Sequence, residues 1–239
     1  YKKALPAALA LELFHNFSLI HDDIMDEAPL RRGKETVHKK WDLNTGILSG
    51  DAMLILAYQL FENYEPLMFS ELAKLFSKTA LQVCEGQQYD VDFETRMDVS
   101  ITEYLKMIEY KTAVLLGAAM QMGAIVAEAS DACKQNSYEF GKNIGIAFQL
   151  QDDYLDCFGD PENFGKQVGG DIISNKKTYL YLTALSNCNE KDKKKLVKLF
   201  SETPEDPSQK IIDVKKLYLE SGAAKQSLDE IANFTQKAN

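Results

Sequence analysis

A chain of 239 residues with 45% hydrophobic residues is long enough to bury a full core and too apolar for disorder. Its formal net charge of −9 argues against a general nucleic-acid binder, which needs a basic face to displace counterions from phosphates. Sparse glycine and proline, 13 and 6 residues, favour long helices over a strand-and-turn architecture.

In chain order, residues 4–25 read as one long helix, apolar on most sides and closing in Asp22-Asp23-Ile24-Met25-Asp26. Glu12, His15 and Asn16 interrupt its apolar run, so it reads as a buried helix and not as a membrane span or signal peptide. Pro29 marks the break after it. A polar loop with Arg31, Arg32 and Gly33 follows. Helical pattern returns over 45–64, stops at Pro66, and resumes over 66–92. The stretch 100–130 reads as helix with a bend near Lys111. Residues 131–158 form the next helix, closing in Asp152-Asp153-Tyr154-Leu155-Asp156. The segment 158–177, rich in Gly, Asp and Lys, has the composition of a ligand-binding loop. Three shorter amphipathic helices finish the chain, with Asp206 as N-cap and Pro207 as first residue of one.

No period-2 run of useful length and no long linker is visible, so the expectation is an all-α fold in a single domain over 1–239. The chain opens at Tyr1 inside helical pattern, which suggests N-terminal helices outside this numbering. Cys84, Cys133, Cys157 and Cys188 form no C-x-x-C pair, which points to neither zinc nor a redox motif and fits a reducing cytoplasm.

The chemistry concentrates in the two acidic runs. Asp22 and Asp26 stand at i and i+4, one helical turn apart on one face, and Asp152 and Asp156 repeat the spacing. Asp23 points elsewhere, toward a supporting role. Like charges at this spacing, near helix C-termini, destabilise a bare helix, a cost that bound cations offset. Carboxylates without His or Cys partners select Mg2+ or Mn2+ over zinc. Facing each other, the two helices could grip one diphosphate from both sides. Arg31-Arg32 follows the first box, Lys166, Lys176 and Lys177 follow the second, and Lys111-Thr112 sits at the bend; these are the forks and point charges a diphosphate needs. The run Lys191, Lys193, Lys194, Lys195 reads as a solvated helix face.

With these residues in view, the chain resembles the trans-isoprenyl diphosphate synthases, the farnesyl and geranylgeranyl diphosphate synthase family. Ser18-Leu19-Ile20-His21-Asp22-Asp23-Ile24-Met25-Asp26 looks like its first aspartate-rich motif, continued by Leu30-Arg31-Arg32-Gly33-Lys34. Gly86-Gln87 and Asp90 resemble its G-Q-x-x-D element, and Tyr110-Lys111-Thr112-Ala113 its Lys-Thr element. Phe148-Gln149-Leu150-Gln151-Asp152-Asp153-Tyr154-Leu155-Asp156 resembles the second aspartate motif; Gly159-Asp160, Gly165-Lys166, Gly169, Asp171 and Lys176 match the loop beyond it. The family's G-G-K-x-x-R-P element lies upstream of where this numbering starts.

The resemblance implies an isoprenoid-synthase bundle of long helices around an apolar cavity, and a homodimer. It implies condensation of isopentenyl diphosphate with an allylic diphosphate (dimethylallyl, geranyl or farnesyl). Asp22 and Asp26 would hold two Mg2+ on the allylic diphosphate and Asp152 a third. Arg31, Lys111, Lys166 and Lys176 would hold that diphosphate, with Gln87 also at the substrate. Arg32 and His15, the latter seven positions before Asp22, would hold isopentenyl diphosphate. Thr112 and Gln149 would line the developing cation. Phe14, Phe17 and Ser18 precede the first box; in the family an aromatic at Phe17's position acts as a floor for the product tail. That suggests a C15 to C20 product, leaning to geranylgeranyl diphosphate. The alternatives are a class I terpene cyclase, against which the intact second box argues, and a non-catalytic subunit of a heteromeric synthase, in which one box is usually lost.

Overall fold

A computed structural model describes residues 2–160 and 169–239. The chain divides into two compact units, Tyr1–Leu81 with Ala118–Tyr138, and Gln82–Gly117 with Glu139–Asn239.

The first unit is built on α1 (Leu5–Met25) packed against α3 (Leu43–Leu60). A short helix, α2 (Val37–Lys40), precedes α3. α3 starts where Asp42 accepts the Thr45 N–H at 2.8 Å, satisfying one orphan donor of its first turn. Its Gly46 and Gly50 are buried, and a methyl group at Gly46 would meet Ile24 Cδ1 at 2.8 Å. The unit's core is aromatic: Phe14, Tyr58 and Phe61 each meet Phe76 edge-on, at 5.2, 4.7 and 5.2 Å between ring centres. Such pairs add roughly 1 kcal/mol each beyond area burial.

The polar loop after α1 holds a two-residue hairpin, Leu30–Arg31 paired antiparallel with Lys34–Glu35. Its turn residues, Arg32 and Gly33, have φ of 54° and 74°, the positive pair of a type I′ turn. The sequence pattern shows only a loop there, because four paired residues are too few to alternate.

α4 (Pro66–Thr95) enters the second unit at Gln82. Ser100 and Glu103 then form a reciprocal capping box that starts α5 (Ile101–Ile108). The expected bend near Lys111 is a π-helical turn, Glu109–Ala113, leading into α6 (Val114–Val126). α7 (Asp131–Phe158) and α8 (Gly170–Ile173) follow, then α9 (Tyr179–Asn187), α10 (Glu190–Leu199), α11 (Ser208–Glu220) and α12 (Ala223–Ala238). The apolar core of this unit runs through Tyr104, Ile108, Leu150, Leu180, Leu196 and Tyr218.

The all-α expectation holds, with strand confined to the hairpin among the described residues. Four helices close the chain after α8, where three were expected. Gly222, at φ 77°, turns the chain between α11 and α12 in a left-handed conformation that glycine adopts at little cost. The start of α11 also differs. Pro207 is the N-cap and Ser208 the first helical residue, while Asp206 accepts the Ser208 N–H at 3.0 Å. Lys191, Lys193, Lys194 and Lys195 form an exposed face of α10, as expected.

Candidate active site

The first aspartate box lies at the C-terminus of α1. Asp26, the C-cap residue, donates its N–H to the Asp22 carbonyl at 2.9 Å. The Ala28 N–H reaches the Asp23 carbonyl at 2.9 Å and the Glu27 N–H the Ile24 carbonyl at 3.3 Å, with Glu27 at φ 49°. That pattern is a Schellman closure, and it fixes the box against fraying. Asp22 and Asp26 are thus one turn apart. Asp23 is 4% exposed and holds Arg31. Arg31 donates Nε to both its oxygens, at 2.8 and 2.9 Å, and Nη2 to Asp22 Oδ2 at 3.1 Å. A buried carboxylate needs such a partner, and the hydrogen bond to Asp23 holds the Arg31 pKa above its ordinary value. The hairpin delivers Arg31 to the box and leaves Arg32 exposed at its tip.

Upstream on α1, Phe14 and Phe17 are buried, with ring centres 5.5 Å apart. The Ser18 hydroxyl donates to the His15 carbonyl at 2.8 Å, so it is turned onto its own helix. His15 is half-buried.

The second box is built differently. Asp152 is half-buried and Asp153 only 7% exposed. Tyr104 donates its hydroxyl to Asp153 Oδ2, and Gln149 donates Nε2 to Asp153 Oδ1 at 3.0 Å. Thr112 in turn donates Oγ1 to Gln149 Oε1 at 3.1 Å. Both of these partners of Asp153 are uncharged. Burial, with Asp171 nearby, pushes the Asp153 carboxyl up to about 7, and burial also raises the Tyr104 hydroxyl well above its ordinary range, keeping it a donor. Asp156 keeps the i, i+4 spacing from Asp152 but serves the backbone. Its Oδ2 accepts the Asp171 N–H at 3.0 Å and its carbonyl the Gly169 N–H at 2.7 Å, which tethers α8.

Lys111 reaches Asp90 Oδ2 at 2.6 Å. The π turn that carries Lys111 and Thr112 is packed on two glycines. A methyl group at Gly86 would collide with the Lys111 backbone nitrogen, and one at Gly145 would lie 2.6 Å from Ala113 Cα. Gln87 is half-buried on α4 and Lys176 exposed after α8. Lys177 donates to the carbonyls of Phe93 and Glu94 at 2.7 and 2.9 Å, so it caps α4 and does not stand ready for a phosphate. Lys166 lies outside the described residues.

The structure therefore gathers Asp22, Asp26 and Arg31 in the first unit, and Lys111, Thr112, Gln149 and Asp152 in the second. Sequence reasoning gave no role to Tyr104 or Asp153 and only a motif position to Asp90. Gln149 stands four residues before Asp153, a same-face spacing that could have found that pair; nothing local marks Tyr104.

For a divalent cation, the donor set is carboxylate oxygen. No group of three or more His, Cys, Asp or Glu side chains that could hold a metal ion is found among the described residues. Carboxylate oxygens are the hard donors that Mg2+ accepts, with waters and substrate phosphates filling its other positions. No helix among the described residues is long and apolar enough to cross a membrane.

Known proteins show the family of the chain. The Polyprenyl synthetase family model matches residues 1–234. A geranylgeranyl diphosphate synthase from Methanosarcina mazei is 44% identical over 185 residues, covering 77% of this chain and 57% of that protein. A short chain isoprenyl diphosphate synthase from Methanothermobacter thermautotrophicus is 39% identical over 216 residues, covering 90% and 66%. The chain thus spans less than two thirds of the length of either relative. A crystal structure of geranylgeranyl pyrophosphate synthase, 58% identical, aligns with a TM-score of 0.95 over 99% of this chain and 73% of that one. The geranylgeranyl pyrophosphate synthetase of Pyrococcus horikoshii, 35% identical, aligns at 0.93 over 99% and 72%. By family match, sequence relatives and fold alike, this chain belongs to the polyprenyl synthetase family.

Proposed function

We propose that the protein is a trans-prenyltransferase that condenses isopentenyl diphosphate with dimethylallyl, geranyl or farnesyl diphosphate. The observation that carries this reading is a pair of carboxylates, Asp22 and Asp26, one turn apart on a Schellman-closed helix end, beside a guanidinium held by Asp22 and Asp23. The family match across both units supports treating them as parts of one domain.

Asp22, Asp26 and Asp152 would hold Mg2+, three ions per site, with Mn2+ as a substitute. When bound, Mg2+ would supply Lewis-acid neutralisation of charge on the departing diphosphate. Arg31, Lys111, Lys176 and Lys166 would each donate to substrate phosphates, and Gln87 would add a polar contact. Asp90 holds the Lys111 ammonium in place. Arg32 and His15 bind isopentenyl diphosphate. As the allylic C–O bond breaks, Gln149 Oε1 and Thr112 Oγ1 present the negative ends of their dipoles to the carbocation; the Gln149 amide is oriented for this by its bond to Asp153. The isopentenyl double bond forms the new C–C bond, and a proton passes to the freed diphosphate, so no dedicated side-chain base is needed. The apolar side chains must keep water from the cation.

Phe17, which lies between Phe14 and the first box along α1, forms the floor for a C15 to C20 product, leaning to geranylgeranyl diphosphate. That the Methanosarcina and Pyrococcus relatives are geranylgeranyl diphosphate synthases supports that length. A cytoplasmic homodimer completes the reading, and sedimentation of the purified protein tests its second half.

The test is incubation of the full-length protein with labelled isopentenyl diphosphate, each allylic primer and Mg2+, followed by product sizing. Prenyl diphosphates of C15 to C20 are expected. EDTA should abolish them, and Asp22→Ala should lower kcat/KM by about 1,000-fold. Absence of condensation with every primer overturns the proposal. Phe17→Ala should lengthen the products, and an unchanged profile removes the floor.

A further inference from the structure

α8 ends in a second Schellman closure. The Lys176 N–H donates to the Asp171 carbonyl at 2.9 Å and the Asn175 N–H to the Ile172 carbonyl at 3.3 Å. Asn175 holds the left-handed position at φ 57°, where glycine is usual because it lacks a Cβ. Asparagine there has one property glycine lacks, a side-chain acceptor. The structure uses it: Lys210, only 4% exposed, donates Nζ to Asn175 Oδ1 at 2.6 Å and to the Glu202 carbonyl at 2.9 Å.

An ammonium buried on two neutral oxygens has no carboxylate among these partners, and burial lowers its pKa. A surface lysine would avoid that desolvation. Lys177, on the other side of Lys176, is engaged in the same manner, its Nζ on the carbonyls of Phe93 and Glu94 at the end of α4. Lys176 itself is exposed. Both of its sequence neighbours are therefore tied to distant elements by ammonium groups, one to α11 and one to α4.

We infer that Lys210 is a positioning residue for Lys176, fixing the left-handed Asn175 so that Lys176 leaves α8 in one direction, with Lys177 anchoring the opposite flank. Lys210 touches no substrate in this arrangement; it acts through Asn175. The inference rests on the reading of Lys176 as a diphosphate ligand. Its consequence is energetic: a loosened Lys176 must be ordered when the anion binds, and that ordering weakens affinity.

The experiment measures binding of inorganic pyrophosphate with Mg2+ by calorimetry, in wild type, Lys176→Ala, Lys210→Met, Asn175→Gly and the combinations with Lys176→Ala. Lys210→Met removes the ammonium while keeping the stem. Asn175→Gly keeps the left-handed backbone without strain and removes the acceptor, so it serves if Lys210→Met does not fold. Each is expected to raise the pyrophosphate Kd about fivefold, and neither to add anything once Lys176 is alanine. That non-additivity separates positioning from a general loss of stability, which would weaken binding in both backgrounds. If Lys176→Ala weakens binding while Lys210→Met and Asn175→Gly bind as wild type, or if their effects persist without Lys176, the positioning role falls and the diphosphate site stands. If Lys176→Ala itself binds as wild type, Lys176 is no diphosphate ligand and both readings of it fall.

Discussion

The two aspartate boxes share a spelling, Asp-Asp-x-x-Asp, and the structure builds them by opposite means. In both, the middle aspartate is buried, 4% exposed at Asp23 and 7% at Asp153. Asp23 meets the Arg31 guanidinium, whereas Asp153 meets the neutral donors Tyr104 and Gln149. The last aspartates diverge too: Asp26 is the exposed cap of its own helix, and Asp156 holds the backbone of the next one. The motif fixes where three carboxylates leave a helix. Charge state and task are set by what the fold brings against them.

The scaffolds beneath the boxes differ in the same sense. In the first unit, glycines of α3 face the ends of side chains, Ile24 and His21. In the second, Gly86 and Gly145 face the backbone of the π turn. Side-chain ends can move and backbone cannot, so the largest effect is expected from Gly86→Ala. An overpacking cost on the order of 3 kcal/mol exceeds the ~1 kcal/mol that alanine gains in helix propensity. Gly46→Ala, where Ile24 can rotate, should stay within about 1 kcal/mol of wild type. Equal losses in urea unfolding would erase this contrast.

Next in size is Asp23→Asn. It removes one of the two carboxylates on the Arg31 guanidinium, Asp22 staying at 3.1 Å, and because that group is a third exposed (35%), the loss should be roughly 1.5 kcal/mol, below that of a fully buried pair. Asp153→Asn is expected to be the mildest, under about 1 kcal/mol. The new amide can accept from Tyr104 and donate to a flipped Gln149, whose own amino group then faces the Thr112 hydroxyl. Chemical denaturation of the two variants side by side checks the order, and a reversal would mean that Asp153 requires its negative charge.

Much of this was legible in the sequence. α1 and α7 announce themselves because periodicity and acidic closure are local properties, and the i, i+4 spacing within each box follows from helix geometry. The bend near Lys111 was legible as a position but not as a π turn, which depends on Gly86 and Gly145 approaching from other helices. The Arg31–Asp23 pair was half visible, since both residues lie within one loop and its parent helix. Tyr104 was invisible, because its partner lies 49 residues away and only the fold introduces them. The number of C-terminal helices was one short, and a lone glycine such as Gly222 in an amphipathic run is compatible with either a weak helix or a left-handed turn.

The π turn at Glu109–Ala113 has a consequence for chain length at this spot. A π turn is an α-helix carrying one surplus residue, and each residue advances the helical wheel by about 100°. α5 and α6 are therefore out of phase by one position, and Lys111 and Thr112 fall within the slip, one answering to Asp90 and the other to Gln149. Removing any single residue between Ile108 and Val114 would restore regular phase and swing those two side chains off their partners, even if every letter around them stayed the same. Here the count of residues matters as much as their identity.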